Sequence, residues 1–407
     1  MGNKKNAWLK FDDTKKEEIF SFCEGYKKYI SDCKTERESI KEAIYLAESK
    51  GYRDLKNVIS AGKSLKAGDK VYYNNMDKSL ALFLIGSESI ESGMRIIGSH
   101  VDSPRLDLKP NPLYEDSELS LMETHYYGGV KKYQWVTIPL ALHGVVVKKD
   151  GTKIDVVVGE EETDPVVMVS DLLVHLASEQ QQKKATEVIA GEDLNILVGS
   201  MPLEGEEKEA VKANILKLLK EKYDFEEEDF MSAEIEIVPA GKARDLGLDR
   251  SMVAGYGHDD RICAYTSLLA LLETESTKKT SVVLLVDKEE VGSIGATGMQ
   301  SRFFENAVAE LMDRVGEYSE LKLRRALANS KMLSSDVTAA FDPNYAGAYE
   351  KKNSAFFGKG LAFAKYTGAR GKSGCNDANA EFVAWLRNVM DENDVAYQMA
   401  ELGKVDQ

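Results

Sequence analysis

The sequence has little cysteine, no long apolar run and an excess of acidic over basic residues. Its four cysteines among 407 residues include no CxxC pair. This argues against a disulfide framework and a cysteine-based zinc site, and favours a reducing, cytoplasmic environment. No run of about 18 apolar residues is present, and the N-terminus lacks the apolar core of a signal peptide, so we expect no membrane span and no leader. The net charge of −15 argues against nucleic acid as a partner.

The chain has the composition of a globular protein and contains two kinds of segment. Its hydrophobic content is 43%, and its length suits one large or two ordinary domains. Strands alternate with helices near both ends, whereas the middle reads as hairpins, with Asp150-Gly151 as a turn between β-rich runs. We therefore predict an α/β fold in which residues 1–108 and 252–407 form a mostly parallel central sheet flanked by helices. Residues 109–251 are predicted to form an inserted β-rich domain.

One buried strand is predicted to bring a pair of acids to its carboxyl end. Residues 281–286 are β-branched and aliphatic, which indicates a strand buried on both faces, and Glu289 and Glu290 follow it closely. Ligands of open α/β sheets collect at the carboxyl ends of strands. One such carboxylate can face a metal while its neighbour faces water or substrate. Taken alone, the same pair can also be a solvated loop.

Three further clusters combine histidine or acids at the ends of predicted elements. His100 follows a predicted strand, and Asp102 is placed to hold its second ring nitrogen, as a metal-binding histidine requires. Asp259 and Asp260 come just before a predicted helix, where an acid can bridge two cations or cap the helix. Asp336 follows a short predicted strand. Each cluster alone has a structural explanation, but the four together favour a metal site.

The order and spacing of these motifs resemble the aspartyl aminopeptidase and vacuolar aminopeptidase I family, which are co-catalytic zinc metallo-aminopeptidases. The similar segments are GSHVDSPRLDLKP (98–110), YGGV (127–130) and EEVGS (289–293). The resemblance covers nearly the whole chain and implies removal of acidic or neutral N-terminal residues from peptides with a free N-terminus. Two alternatives remain open: a related two-metal deacylase or carboxypeptidase, and a non-catalytic assembly subunit.

The resemblance also implies roles for individual residues. It assigns two zinc ions, replaceable by manganese or cobalt, to four ligands: His100, Asp260, Glu290 and Asp336. His100 and Asp336 would hold one ion, Glu290 the other, and Asp260 would bridge both. The family usually has a leucine followed by Asp-Asn at this position. Asp260 is preferred to Asp259 because Asp259 stands where the leucine would be, and the chain continues as Asp260-Arg261. Asp102 would orient His100, and Glu289 would be the general base.

Two more expectations follow from the family. Its inserted domain mediates dimerisation, and the dimers build dodecamers, so we expect a homo-oligomer. Its last metal ligand is a histidine near the C-terminus, and this sequence has no histidine after His258. We therefore expect either that the chain as given is incomplete or that it holds one ion firmly and the other poorly. We also expect the chain as given to be inactive or nearly so, and to be restored by a C-terminal extension.

Overall fold

The computed structural model describes residues 6–368 and 373–405. Within the chain, Tyr26–Asp336 form one compact unit, and the residues up to Gly25 form another with those from Val337 onwards. The part of the chain that the structure describes contains eight α-helices: α1 (Asp13–Asp32), α2 (Glu36–Ser49), α3 (Leu55–Ser60), α4 (Ala210–Tyr223), α5 (His258–Leu272), α6 (Phe303–Arg314), α7 (Glu320–Asn329) and α8 (Ala380–Glu392).

The same residues contain seventeen β-strands. They are β1 (Arg53–Asp54), β2 (Lys70–Asn75), β3 (Ser79–Leu84), β4 (Arg95–His100), β5 (Arg105–Asp116), β6 (Leu119–Tyr127), β7 (Leu140–Val147), β8 (Lys153–Val158), β9 (Met168–Val169), β10 (Ile196–Gly199), β11 (Ala233–Pro239), β12 (Arg244–Leu246), β13 (Met252–Ala254), β14 (Ser281–Val286), β15 (Lys331–Ser334), β16 (Leu361–Ala364) and β17 (Tyr397–Ala400). In the smaller unit, β16 and β17 pair in parallel.

A six-stranded mixed sheet lies at the centre of the larger unit, in the order β1-β2-β3-β14-β4-β15. Strands β14, β4 and β15 are parallel, as are β1 and β2, but β3 is antiparallel to both of its neighbours. The connection from Asn75 to Ser79 is too short for a crossover and can only form a hairpin. The predicted α/β fold is therefore confirmed, whereas the description of the sheet as mostly parallel was too simple.

The packing of strand β14 explains why its sequence is apolar from Val282 to Val286. Val282 and Leu284 belong to a core cluster with residues of α3, α6 and α7. Val283 and Leu285 belong to a second cluster with residues of α2 and α5. Because alternate side chains of a strand point to opposite faces, helices that cover both faces require an unbroken apolar run. The predicted buried strand and the flanking helices are confirmed.

The middle of the chain forms a seven-stranded antiparallel sheet in the order β8-β7-β11-β5-β6-β10-β9. The turn at Asp150-Gly151 joins β7 to β8, as the sequence predicted. This sheet has its own core, which includes Trp135, Leu140 and Val146. Its first strand starts at Arg105, at the end of the chemical motif that follows β4. The limits of 109 and 251 for an inserted domain stay a prediction.

Candidate active site

The carboxyl ends of three parallel strands lie side by side and carry the predicted acids. In the register of the sheet, Val286 of β14 lies opposite His100 of β4, and Ser334 of β15 lies opposite Gly98. Strand β14 leads into a 3₁₀ turn, Glu289–Val291. The start of α5 supplies two more carboxylates at this edge of the sheet. Clusters that are far apart in the sequence are thus brought together by the parallel strand pairing.

The imidazole of His100 is buried and has partners at both ring nitrogens. Its Nδ1 lies 2.9 Å from the carbonyl oxygen of Asp102 and 3.3 Å from the carboxylate oxygen Oδ1 of the same residue. Its Nε2 lies 3.1 Å from Asp259 Oδ1, and 3.8 Å from both Glu289 Oε2 and Asp336 Oδ1. A histidine whose Nδ1 is held by an acceptor presents Nε2 in one tautomer to a metal. The predicted contact between His100 and Asp102 is present.

Asp102 is fully buried and links His100 to the turn that carries the two glutamates. Its Oδ1 accepts the backbone N–H of Glu289, and its Oδ2 accepts the backbone N–H of Glu290, each at 3.2 Å. Burial by itself would raise the pKa of Asp102, but hydrogen bonds with His100 and Tyr127 hold that pKa below its usual range. Asp102 is therefore a charged anchor rather than an exposed ligand.

Two overlapping groups of side chains are close enough to hold a metal ion. One comprises His100, Asp260 and Asp336, and the other His100, Asp259 and Glu290; within each group the ligand atoms lie within 4.8 Å of one another. All four predicted ligands are thus brought together. The structure adds Asp259 as a candidate ligand, whereas the family resemblance favoured Asp260. In the sequence, the only indication that Asp259 could bind a metal was its position next to Asp260.

The acids of this site are electrostatically crowded. Burial raises the pKa of Asp260 to about 8, and contacts with Cys263 and His100 offset this only in part. Burial, together with the charge of Asp259, raises the pKa of Glu290 to about 7. Burial would lower the pKa of His100, but hydrogen bonds with Asp102, Asp259 and Asp336 raise it above its usual range. Carboxylates this close together favour a neighbouring cation, since a cation stabilises their charged forms.

The donor set fits zinc. Zinc binds imidazole nitrogen and carboxylate oxygen, and both are gathered here. Asp260 accepts the backbone N–H of His100 at its Oδ2, at 3.3 Å. Its buried Oδ1 has no hydrogen-bond partner within residues 6–368 and 373–405. A buried acceptor without a donor is costly, and a nearby cation would remove that cost.

Two residues of the YGGV segment contribute to the site in ways the sequence did not reveal. The hydroxyl of Tyr127 donates to Asp102 Oδ2 at 2.8 Å. Gly128 has a φ of +72°, and a Cβ at this position would lie 3.2 Å from the Cβ of Glu290. The segment was noticed as a motif, but the contacts arise because β6 pairs with β5, which follows the His100–Asp102 motif.

The other histidines for which the structure gives contacts have their partners outside the two candidate metal-binding groups. His143 sits between Glu38 and Glu160, at 2.8 and 3.0 Å. The Nδ1 of His258 lies 2.7 Å from the hydroxyl of Tyr26. Among the described residues, neither metal-binding group includes a histidine besides His100. The expectation that one of the two ions lacks a histidine ligand stays a prediction.

Comparison with known proteins agrees with this chemistry. A family model described as Aminopeptidase I zinc metalloprotease (M18) matches residues 29–407. The chain belongs to the M18 aminopeptidase family. The "Probable M18 family aminopeptidase 1" of Clostridium acetobutylicum is 65% identical over 404 residues, which cover 99% of this chain and 87% of the relative. This M18 chain is a metal-dependent aminopeptidase, a hydrolase with zinc as its cofactor.

Solved structures support the same fold. The crystal structure of an M18 aminopeptidase from Thermotoga maritima superimposes with a TM-score of 0.94 at 44% identity, covering 100% of this chain and 88% of that chain. The structure of the mApe1 dodecamer gives a TM-score of 0.74 at 20% identity, covering 94% and 86% respectively, which shows a shared fold. Among the described residues, no helix has both the length and the apolar character needed to cross a membrane.

Proposed function

We propose that this aminopeptidase uses the carboxyl edge of β4, β14 and β15 as its catalytic centre. In this proposal, His100 and Asp336 would hold one zinc ion and Glu290 would hold the other. The support is that the two groups of candidate ligands share His100, whose Nε2 faces the carboxylates. When bound, the zinc ions lower the pKa of a water molecule and polarise the scissile carbonyl group.

We further propose Asp259 as the carboxylate that bridges the ions, with Asp260 as the alternative. A bridging carboxylate needs both oxygens directed outward. The side chain of Asp259 is 52% exposed and contacts His100 Nε2, whereas Asp260 is fully buried and uses one oxygen to accept a backbone N–H. Ser103 donates to the carbonyl oxygen of Asp259 at 2.8 Å, which fixes the backbone there.

The matched variants Asp259→Asn and Asp260→Asn test the bridging assignment. Loss of a ligand common to both ions should weaken zinc binding by about 100-fold or more in Asp259→Asn. Asp260→Asn should weaken it by about 10-fold, because Asp260 would act by supporting the backbone of His100. Zinc affinity is measured by competition with a chromophoric chelator. The reverse order of the two effects would make Asp260 the bridge.

Glu289 is proposed as the general base. Its side chain is about half exposed, its Oε2 lies 3.8 Å from His100 Nε2, and Asp102 holds its backbone N–H. Burial, together with nearby carboxylates that include Asp336, raises its pKa above the usual range. A carboxylate with a raised pKa is a better proton acceptor, so Glu289 can take a proton from water and give it to the leaving amine.

The proposed substrates are peptides with a free, positively charged N-terminus. The site concentrates carboxylates, and such a field favours an α-ammonium group over a carboxyl terminus. We expect chelation to abolish hydrolysis of amino-acyl 4-nitroanilides, zinc to restore it, and the N-acetylated analogues to resist cleavage. Release of C-terminal residues from N-blocked peptides, or hydrolysis of the acetylated analogues, would instead support the carboxypeptidase or deacylase alternative.

The proposed partner is a second copy of the chain, bound through the inserted domain at residues 109–251. The apolar run from Trp135 to Val147 lies within this range, but Trp135, Leu140 and Val146 are buried in the core of their own sheet. A better candidate surface is an exposed apolar segment consisting of Leu172, Leu173, Val174 and Leu176. Large exposed apolar segments mark interfaces. The dodecamer of mApe1 is a precedent for assembly in this fold.

The mass of the protein in solution, measured by light scattering, tests whether the chain binds a second copy through this segment. Leu173→Glu should convert the oligomer to smaller species, because a charge would be buried without a partner in an apolar interface. Leu218→Glu, at a residue that is also exposed but lies on α4, is the control and should leave the mass unchanged. A wild-type enzyme that is monomeric at micromolar concentration would contradict the proposal.

A cytoplasmic location is proposed as well. None of the four cysteines, all of which lie within the described residues, forms a disulfide. Reduced cysteines are the rule in reducing compartments. Fractionation of cells into cytoplasmic, membrane and secreted material, followed by immunoblotting, tests this location, and recovery in the secreted material would contradict it.

A further inference from the structure

Tyr127 connects the seven-stranded sheet to the catalytic centre. It is the last residue of β6, and its hydroxyl donates to Asp102 Oδ2 at 2.8 Å. We propose that Tyr127 is a positioning residue: its hydroxyl holds the Asp102 carboxylate in the orientation that fixes both His100 and the turn of Glu289 and Glu290. This inference rests on the metal-binding role proposed above for His100.

The hydrogen bonds of Asp102 make its orientation depend on Tyr127. Oδ1 faces His100 Nδ1 at 3.3 Å and accepts the backbone N–H of Glu289 at 3.2 Å. Oδ2 accepts the backbone N–H of Glu290 at 3.2 Å and the hydroxyl of Tyr127 at 2.8 Å, which is the shorter of these two bonds. Without the hydroxyl, Oδ2 would keep a single, longer hydrogen bond in a fully buried place.

The ring of Tyr127 is itself fixed by a buried arginine. The guanidinium carbon of Arg105 lies 3.8 Å from the ring centroid, a cation–π contact. The side chain of Arg105 is 5% exposed and forms ion pairs with Asp107, Glu236 and Glu36, at 2.7, 3.3 and 3.5 Å. These carboxylates come from β5, β11 and α2, so the ring position is set by both the antiparallel sheet and a helix that covers the central sheet.

The consequence is a continuous path of contacts that ends at the ring nitrogen facing the acids. A partner that fixes the far side of a metal-binding histidine controls its tautomer and direction. Tyr127 acts one step further out, on the carboxylate that fixes His100. The same carboxylate holds the backbone of Glu289, so Tyr127 also positions the proposed base. The hydroxyl of Tyr127 donates to Asp102 and not to His100, so its effect on the proposed metal site passes through Asp102.

Tyr127→Phe in the whole enzyme isolates the hydroxyl, because the phenylalanine ring can keep the contact with Arg105. We expect zinc affinity, measured by chelator competition, to fall about 10- to 100-fold. With zinc in excess, kcat should fall while KM stays within about twofold, since Glu289 is misplaced but substrate contacts remain. Tyr114→Phe is the control: it removes a hydroxyl that accepts from Asn195 at 3.2 Å in the same sheet, away from Asp102, and should change neither quantity.

A double-mutant cycle separates positioning from a general loss of structure. If Tyr127 acts through Asp102, Tyr127→Phe should add little to the zinc-affinity loss of Asp102→Asn. Additive losses, or unchanged zinc affinity in Tyr127→Phe, would overturn the inference. His100→Ala distinguishes a failure of the role inferred for Tyr127 from a failure of the proposed metal site. If His100→Ala releases zinc while Tyr127→Phe does not weaken it, only the role of Tyr127 fails. If His100→Ala leaves zinc bound, the proposed metal site itself fails.

Discussion

Glu289→Gln is expected to lower kcat by about 10²- to 10⁴-fold while the zinc content stays at the wild-type value. This range is the usual contribution of a general acid–base residue, and glutamine has nearly the same shape but cannot accept the proton. The backbone N–H of Glu289 would still donate to Asp102, so the turn should keep its place. Steady-state kinetics and elemental analysis of the same preparation measure the two quantities.

Glu290→Gln is the matched control for this prediction. The two glutamates are adjacent and lie in the same 3₁₀ turn, but Glu290 belongs to a candidate ligand group and lies against Gly128. Its substitution should therefore remove zinc as well as activity. Near wild-type turnover in Glu289→Gln would refute the assignment of the base. A loss of zinc in Glu289→Gln would make Glu289 a ligand instead.

His100→Ala and Asp336→Ala are each expected to release the same zinc ion. The ligand atoms of these residues belong to one group, and losing a direct ligand should weaken binding by about 100-fold or more. Calorimetric titration of the metal-free variants should show one strong site fewer than the wild type. The double variant should lose no additional site, because both residues serve the same ion.

His125→Ala is the control for the histidine variant. His125 is exposed on β6, and its Nδ1 contacts the carbonyl oxygen of Tyr126, away from the acids. The number of zinc ions bound by His125→Ala should equal the number bound by the wild type. Two unaffected zinc sites in either His100→Ala or Asp336→Ala would show that the two residues do not share an ion.

The sequence alone predicted the location of the proposed catalytic centre, because the patterns that indicate it are local in the sequence. The β-branched run at residues 281–286 predicted β14 with the bounds that the structure has. A strand buried on both faces must be apolar at every position, whereas a half-buried strand alternates, so the pattern carries this information. The motif likewise predicted the contact between His100 and Asp102, because these residues are only two positions apart in the sequence.

Strand direction and burial depend on partners that are distant in the sequence, and only the tertiary structure decided them. The direction of β3 follows from its hairpin with β2 and not from its composition. Apolar content could not distinguish the core strand β7 from the exposed segment of Leu172 and its neighbours, since both are simply apolar in sequence.

The finer geometry of the site was also decided by the fold. Asp259 and Asp260 are neighbours with the same chemistry, and only the backbone at the start of α5 directs one to His100 Nε2 and buries the other. Tyr127 reaches Asp102 because β5 and β6 pair with Arg105 opposite Tyr127. The sequence determined which chemical groups are present and near which strand ends. Side-chain direction and strand partners depend on packing across the whole unit, and these decided which carboxylate faces the histidine.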